Sequence, residues 1–262
     1  MKPLTPGADR LDPDQIKANL TTRLIGRKVL VYSRTSSTND VAAEYARNPA
    51  NNGMAIFAEE QTAGRGRGGN RWMAAYGESL LCSIILLDCG LSSELLPLTC
   101  AVAAAETIGG AAKIKWPNDV FVNGKKIAGI LLEAKSTAGV TTRIVGVGIN
   151  CHQGRDSFGP ELRTVATSID IENGSFCDRT SLARRLLTLL DDWLDVAEES
   201  REQVTSRWCD LSTQLGNHIA VSYGGRKFVG HCVGIDPEKG LVLRLDSGGT
   251  RMFEAAHSTI VG

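Results

Sequence analysis

Alternating and continuous runs of apolar residues predict a series of β-strands in the first 150 residues. The run at residues 78–87 is apolar almost throughout, which is typical of a strand that is covered on both faces. Asn123-Gly124 lies between two β-rich arms, and this dipeptide predicts a hairpin turn. The predicted strands are GRKVLVYSR (26–34), GMAIFAEE (53–60), ESLLCSIILL (78–87), AKIKWPND (112–119), the hairpin DVFVNGKKIAGILLEA (119–134) and TRIVGVGIN (142–150).

Helical periodicity separates these strands and then gives way to a second kind of pattern. Helices are predicted at 37–48, with Ser37, Thr38 or Asn39 as N-cap, and at 92–110, with a serine cap and a terminal glycine pair. A third helical stretch covers 180–209, and residues 12–20 predict one short helix. From residue 213 onward, short strands alternate with glycine turns, a pattern that fits a small β-barrel.

This order predicts an N-terminal extension at 1–27, an α+β body at 28–212 and a barrel at 213–262. The composition of the chain indicates a globular protein with balanced charge. The 262 residues are 42% hydrophobic and carry 29 Lys and Arg against 29 Asp and Glu, so no global charge attracts the chain to nucleic acid or to an anionic membrane. Any site for an anion must therefore be local.

The cysteines and the N-terminus indicate a cytoplasmic protein without a membrane partner. The start of the chain lacks the apolar core of a signal peptide, and the apolar run at 80–87 is too short to span a bilayer. Seven cysteines without a C-x-x-C pair read as reduced thiols, and four scattered histidines show no metal-ligand spacing.

The segment EEQTAGRGRGGNRW (59–72) concentrates arginine and glycine in one place. A disordered RGG tract is disfavoured because the segment occurs once, between two strands. A Walker A loop is excluded because the Lys-Ser/Thr pair is missing, and a Rossmann turn is disfavoured because no helix follows. A glycine-jointed loop that offers Arg65, Arg67 and Arg71 to an anion remains, next to the simpler interpretation of a solvated surface loop.

The segment KWPNDVFVNGKKIAGILLEA (115–134) supplies further cations. Lys125 and Lys126 are neighbours on one strand and so point to opposite faces, which allows one of them to project into a site. Taken alone, Lys115, Lys125 and Lys126 also fit a solvated hairpin, and Asp119 fits a turn that bonds its own backbone.

Together with TSSTND (35–40) and VGVGIN (145–150), these two segments resemble the catalytic domain of biotin protein ligases. The residues from about 215 resemble the SH3-like C-terminal domain of that family. The resemblance implies an α+β fold: a mixed β-sheet with flanking helices, as in class II synthetases, plus a C-terminal SH3-like β-barrel. Because about 27 residues precede the first strand, it also implies the ligase-only form without an N-terminal DNA-binding domain.

The resemblance implies a two-step reaction. Biotin and MgATP give biotinyl-5′-adenylate, and a lysine of a biotin carboxyl carrier domain, in acetyl-CoA carboxylase or another biotin-dependent carboxylase, then takes the biotinyl group. The family contains both monomers and homodimers. The alternatives are a lipoate or octanoate ligase or transferase of the same fold, a relative of class II aminoacyl-tRNA synthetases, and a biotin-sensing regulator that is not an enzyme.

Site residues follow from the same resemblance. Lys126, Arg67 and Asp119 are the catalytic candidates, and Asp119 is also the candidate contact for Mg²⁺. One departure is Gly68, where many members carry a third loop arginine. Biotin contacts are implied for Ser37, Thr38, Asn39, Gln61, Gly64, Arg65, Gly66, Arg67, Lys126 and Gly129, and ATP or adenylate contacts for Arg65, Arg67, Gly69, Arg71, Trp72, Asn118, Lys126 and Asn150.

Overall fold

The computed structural model of the chain describes residues 9–137 and 140–261. The predicted strands and helices form close to their predicted positions, and the glycine-rich C-terminal part forms a second sheet. The elements are α1 (Pro13–Lys17), β1 (Val29–Tyr32), α2 (Thr38–Tyr45), β2 (Ala55–Ala58), β3 (Ser79–Leu87), α3 (Leu95–Ile108), β4 (Lys113–Lys115), β5 (Asp119–Val122), β6 (Lys125–Thr137), β7 (Val140–Asn150), α4 (Ile169–Asn173), α5 (Arg179–Glu199), α6 (Arg201–Leu211), β8 (His218–Tyr223), β9 (Arg226–Asp236), β10 (Gly240–Leu245), β11 (Thr250–Phe253) and β12 (Ser258–Val261).

The first sheet has seven strands in the order β1-β2-β3-β7-β6-β5-β4. β1 and β2 run parallel, and every other neighbouring pair is antiparallel, so the sheet is mixed as predicted. β3 and β7 lie at its centre. Opposite Gly148 on β7 lie Leu81 on β3 and Gly129 on β6, which brings three distant parts of the chain to one place on the sheet.

The apolar run of β3 is buried on both faces because helices cover both sides of the sheet. Its even-numbered residues from Leu80 to Leu86 belong to the large core with α3 and α5, whereas Ile85 packs in a smaller cluster with Ala42 of α2. Successive side chains of a strand point to opposite faces, so Ser83 lies on the α2 side. The one hydroxyl in this part of the strand therefore faces α2 and the site described below.

The second sheet has five antiparallel strands in the order β11-β10-β9-β8-β12. It packs against the first sheet around Trp116, whose indole Nε1 donates to Ser258 Oγ at 2.8 Å. The Trp116 backbone N–H donates to Gln214 Oε1, also at 2.8 Å. Trp208 meets the Trp116 ring edge-on at 6.0 Å between centroids. These contacts hold the end of the second sheet over the turn that precedes Asp119.

Two predicted helices differ in detail from the structure. The N-cap position of α3 is Glu94, which makes no side-chain cap, and Ser92 Oγ accepts the Leu95 N–H from one turn earlier. The predicted stretch 180–209 divides at Ser200, because that residue leaves the helical conformation and its hydroxyl caps α6. The seven cysteines are all unbridged. Within residues 9–137 and 140–261, no helix combines the length and apolar character that a membrane crossing requires.

Candidate active site

A cavity of about 570 Å³ opens on the first sheet where β3, β7 and β6 lie side by side. The start of α2 and Gln61 line one end, and the segment 115–119 with Lys126 lines the other. Residues 65–68 and 70–72 of the predicted loop line it too, and residues 256–260 of the second sheet complete the wall. We call residues 64–72 the Gly/Arg loop.

One end of the cavity is built from neutral hydrogen-bonding groups. Gln61 Oε1 accepts from the Thr38 backbone N–H at 2.7 Å and from the Thr38 hydroxyl at 2.9 Å. Ser83 Oγ lies 2.7 Å from Thr38 Oγ1 and 2.5 Å from Asn39 Oδ1. Asn39 Nδ2 donates to Glu133 at 2.8 Å, which fixes the orientation of the amide. Hydroxyl and amide groups at this end thus hold one another in place.

The other end carries the ion pair between Lys126 and Asp119. Lys126 Nζ lies 2.7 Å from Asp119 Oδ1, and both side chains remain about one-third exposed. The same ammonium lies 5.8 Å from the centre of the Trp72 ring, within cation–π range. Lys125, one residue earlier, is half-buried as well, but it does not line the cavity. Of the two lysines, Lys126 is the one in the cavity lining, and its role in the site stays a prediction.

Trp72 lies flat against two glycines of the sheet. A Cβ at Gly148 would come within 2.6 Å of the indole Cε2, and one at Gly129 within 3.1 Å of Cζ3, so larger residues would displace the ring. Gly146 gives similar room to Asn39, whose Oδ1 would meet a Cβ at 2.5 Å. Glycine at positions 129, 146 and 148 thus lets Trp72 and Asn39 approach the backbone of the sheet closely.

The arginines of the Gly/Arg loop differ in their surroundings. Arg65 pairs with Asp40 at 2.7 Å and with Glu133 at 3.2 Å, and its hydrogen bond lowers the pKa of the Asp40 carboxyl. Arg67 is more deeply placed, and burial lowers the pKa of its guanidinium. Arg71 is exposed at the rim of the cavity. The three therefore present cations at three depths.

The position where many family members carry a third arginine lies at the outer edge of this loop. Gly68 has φ 62° and ψ 27°, which is left-handed backbone. A Cβ there would meet no atom within 4 Å, so space does not exclude a side chain. The backbone conformation does disfavour one, by about 1–2 kcal/mol for an L-residue. Glycine suits the conformation that the loop adopts here.

Most of the predicted site residues line this single cavity, and three lie outside its lining. Gly64 supports Trp72, since a Cβ there would come within 2.5 Å of the Trp72 carbonyl oxygen. Gly69 belongs to the short turn that carries Gly68. Asn150 donates to the Thr167 carbonyl at 2.9 Å and accepts from Gln153 at 3.3 Å, so it joins two chain segments beside the site. The predicted lining residues are Ser37, Thr38, Asn39, Gln61, Arg65, Gly66, Arg67, Arg71, Trp72, Asn118, Asp119, Lys126 and Gly129.

Sequence reasoning missed several residues of the site. Ser83 could have been noticed as the single hydroxyl within residues 80–87. Glu133 and Asp40 lie inside recognised motifs, but nothing local shows that both pair with Arg65. Residues 256–260 carry no signal at all, because they reach the cavity only through the packing of the second sheet.

Comparisons with known proteins agree on one family. Residues 31–150 match the model of the biotin/lipoate A/B protein ligase family. The chain is 32% identical over 254 residues to the bifunctional ligase/repressor BirA of Bacillus spizizenii, an alignment that covers 94% of this chain and 78% of that protein. It is 32% identical over 275 residues to the biotin–[acetyl-CoA-carboxylase] ligase of Mycobacterium tuberculosis, with 96% and 97% covered. The fold matches the biotin protein ligase of Aquifex aeolicus, solved in complex with biotin and ATP, at a TM-score of 0.78 and 24% identity over 90% of this chain and 99% of that one.

Proposed function

The chain belongs to the biotin/lipoate A/B protein ligase family, and from that premise we propose that it is an ATP-dependent biotin ligase. It activates biotin as biotinyl-5′-adenylate and transfers the biotinyl group to a lysine of a biotin carboxyl carrier domain. Two relatives support the substrates: one was solved with biotin and ATP, and another is named for acetyl-CoA carboxylase. The lipoate branch of the family is the less favoured alternative, because the similar proteins are named for biotin.

The observation that carries the proposal is the division of one cavity into a neutral end and a cationic end. Biotin has a neutral ureido ring and, at the end of its chain, a carboxylate. Ser37, Thr38, Asn39 and Gln61 offer uncharged donors and acceptors at one end, and Lys126 and Arg67 offer positive charge at the other. A molecule with one neutral polar end and one anionic end matches this arrangement in both chemistry and order.

In the first step, a biotin carboxylate oxygen bonds to the α-phosphorus of ATP and the bond to pyrophosphate breaks. Two anions must meet, so the site has to supply positive charge and fixed geometry rather than a strong nucleophile. Lys126 is assigned to the developing charge between the carboxylate and the α-phosphate, and its ion pair with Asp119 holds it there. Arg67 neutralises the same region from the Gly/Arg loop, whereas Arg65 is paired with Asp40 and Glu133 beside the neutral end.

In the second step, the lysine amine of the carrier attacks the acyl carbon. An amide bond forms, the bond between acyl carbon and phosphate oxygen breaks, and AMP leaves. The amine must lose a proton, and Asp119 is the carboxylate assigned to accept it. Trp72 is assigned to cover the adenylate, which protects the mixed anhydride from water.

Mg²⁺ enters this scheme with ATP, as part of the substrate. Within the described residues no group of three or more histidine, cysteine, aspartate or glutamate side chains is arranged to hold a metal. Asp119 is a single carboxylate beside an ammonium, which suits a contact to a metal that the nucleotide itself carries. Seven unbridged thiols and the use of ATP support a cytoplasmic reaction.

The test is ATP–pyrophosphate exchange with purified protein and Mg²⁺, run in parallel with biotin and with lipoate. We expect exchange that depends on biotin, followed by AMP release and a streptavidin-reactive product when a carrier domain is added. Exchange with lipoate alone would move the chain to the lipoate branch. No exchange with either acid would overturn the proposed activity.

A further inference from the structure

Glu94 is a buried carboxylate that the proposed reaction does not use. It lies at the start of α3, and only 5% of its surface is exposed. It makes no hydrogen bond to its own helix; instead, Glu94 Oε2 accepts the backbone N–H of Ala255 at 2.7 Å. Burial raises the pKa of the carboxyl. Removing a carboxylate from water costs free energy unless hydrogen bonds or an opposite charge compensate for the lost hydration.

The residue that Glu94 holds is the same one that holds Arg67. Arg67 Nη2 donates to the carbonyl oxygen of Ala255. On its other side, Arg67 Nη1 donates to Asn118 Oδ1 at 3.4 Å. Asn118 is itself fixed, since its carbonyl accepts the Ile130 N–H at 3.0 Å. The guanidinium therefore lies between Asn118, in the turn before β5, and Ala255, in the short helical turn between β11 and β12, and Glu94 fixes the backbone of Ala255.

We propose that Glu94 is a positioning residue for Arg67, and that it acts through the backbone of Ala255. The inference rests on the proposed function, because it takes Arg67 to act in adenylate formation. Loss of the Glu94 carboxylate leaves the Ala255 N–H without its buried acceptor, and residues 254–257 shift to find another. The Ala255 carbonyl moves with them, and Arg67 loses the acceptor that aims it into the cavity.

Neighbouring contacts argue that Glu94 does more than attach the second sheet. Ser92 Oγ already donates to the Pro237 carbonyl at 3.1 Å from the same helix end, and Trp116 already bonds Ser258. Glu94 is thus the one of these three contacts that bonds the backbone of Ala255, whose carbonyl holds Arg67.

The experiment is a double-mutant cycle on the whole chain, read out as kcat/KM for ATP in biotin-dependent exchange. We expect Glu94→Ala to lower it about 10- to 100-fold, the scale for a misplaced catalytic group. In the Arg67→Ala background the same substitution should cost less than about threefold, because no guanidinium remains to be aimed. Glu94→Gln should stay within about threefold of the original, since its amide oxygen can still accept the Ala255 N–H.

Ser92→Ala is the matched control, because it removes a contact between the same two parts without touching Ala255. We expect it to change kcat/KM for ATP less than twofold, with Tm measured for every variant. Equal losses for Glu94→Ala with and without Arg67 would overturn the proposal, as would a loss for Glu94→Gln as large as that for Glu94→Ala. Binding of a non-hydrolysable biotinyl-adenylate analogue, measured by calorimetry across the cycle, gives a second readout. If the unaltered chain neither exchanges nor binds the analogue, the proposed function fails and this inference fails with it.

Discussion

The Gly/Arg loop has one arginine at its base and three at its tip, and the base and the tip differ in how deeply these side chains are buried and how completely they are bonded. At the base of the loop, Arg179 is fully buried and pairs with Glu59 and with Asp9, each at 2.8 Å. It also donates to the Ser79 carbonyl at 3.2 Å, and the Glu59 carbonyl accepts the Gly77 N–H at 3.0 Å. One guanidinium thus connects the strand that enters the loop to the strand that leaves it.

The tip of the loop borders the cavity with three arginines, Arg65, Arg67 and Arg71. Each of them makes fewer hydrogen bonds to protein groups than Arg179 does. Arg65 is about 39% exposed, and its carboxylate partners Asp40 and Glu133 are exposed to a similar degree. An arginine whose donors are all taken by buried protein groups has none left for a ligand, whereas a partly solvated one can exchange water for substrate oxygens. Burial and completed bonding, rather than residue type, separate the structural arginine from the functional ones.

The largest expected effect is on stability, at the base of the Gly/Arg loop. Arg179→Met should lower the free energy of unfolding by about 3–5 kcal/mol, because it leaves the Glu59 carboxylate buried without a cation and removes one of the two basic partners of Asp9. Arg34→Met is the matched control, since Arg34 pairs with the neighbouring Glu60 while 65% exposed. That pair should be worth no more than about 1 kcal/mol in urea unfolding. Similar decreases in the free energy of unfolding for both variants would mean that the buried ion pairs of Arg179 contribute no more to stability than an exposed pair.

The next effect is on chemistry at the cationic end of the cavity. Lys126→Ala should lower the rate of biotin-dependent exchange by about 10²–10³-fold, the usual loss for one electrostatic donor of a transition state. Lys125→Ala is the control, because Lys125 is the neighbouring lysine on the same strand and does not line the cavity; it should change the rate less than twofold. Stopped-flow adenylation measures both. A loss below fivefold for Lys126→Ala would remove that lysine from the reaction.

A smaller effect is expected on the rate at which biotinyl-adenylate is released, because arginines at the tip of the loop are assigned to retain it. Arg67→Gly should speed the release of biotinyl-adenylate about tenfold, since one charge-assisted contact is lost, and each 1.4 kcal/mol corresponds to a factor of ten. The free energy of unfolding should change little, in contrast with Arg179→Met. Release can be followed with radiolabelled adenylate in a filter-binding assay. An unchanged off-rate would place Arg67 outside the retention of the intermediate.

The smallest expected effect is the pH dependence of stability at the base of the Gly/Arg loop, where His152 contacts Asp9. His152 is 4% exposed and lies between Asp9 at 3.0 Å and Asp170 at 2.8 Å. Burial lowers its pKa, but hydrogen bonds and charge from both carboxylates outweigh burial and raise it above 6.5 overall. A raised folded-state pKa stabilises the protein fully below the unfolded value of about 6.5 and loses that contribution as pH rises through the folded pKa.

Urea unfolding of the unaltered chain from pH 6 to pH 9 should therefore show stability falling with pH across this window. His152→Gln should flatten that part of the curve while keeping polar contacts to the neighbouring carboxylates. Phe176 stacks on the imidazole at 4.2 Å between centroids and would lose little with glutamine present. An identical slope in both proteins would show that His152 does not titrate in this range.

Local patterns predicted the strands and helices because side-chain direction repeats every two residues in a strand and every 3.6 in a helix. The Asn123-Gly124 hairpin followed from turn chemistry and is confirmed. Alternation along the strand predicted only that Lys125 and Lys126 point to opposite faces, and the choice of Lys126 came from the family resemblance. The cap of α3 was misplaced by two residues, because Ser92 serves the helix from outside its N-cap position. Domain boundaries at residues 27 and 212 and the individual ligand contacts remain predictions.

The sequence by itself determined which elements form and which motifs share one site, since periodicity, turn chemistry and the family resemblance all lie within short stretches of chain. Only the tertiary structure decided which partner each charged group meets. Glu59 and Glu60 are neighbours, yet Glu59 is buried against Arg179, whereas Glu60 is half-buried and pairs with the exposed Arg34. Those partners lie 120 and 26 residues away, respectively. Such pairs depend on the order of strands in the sheet and on the docking of the second sheet, which no local pattern encodes.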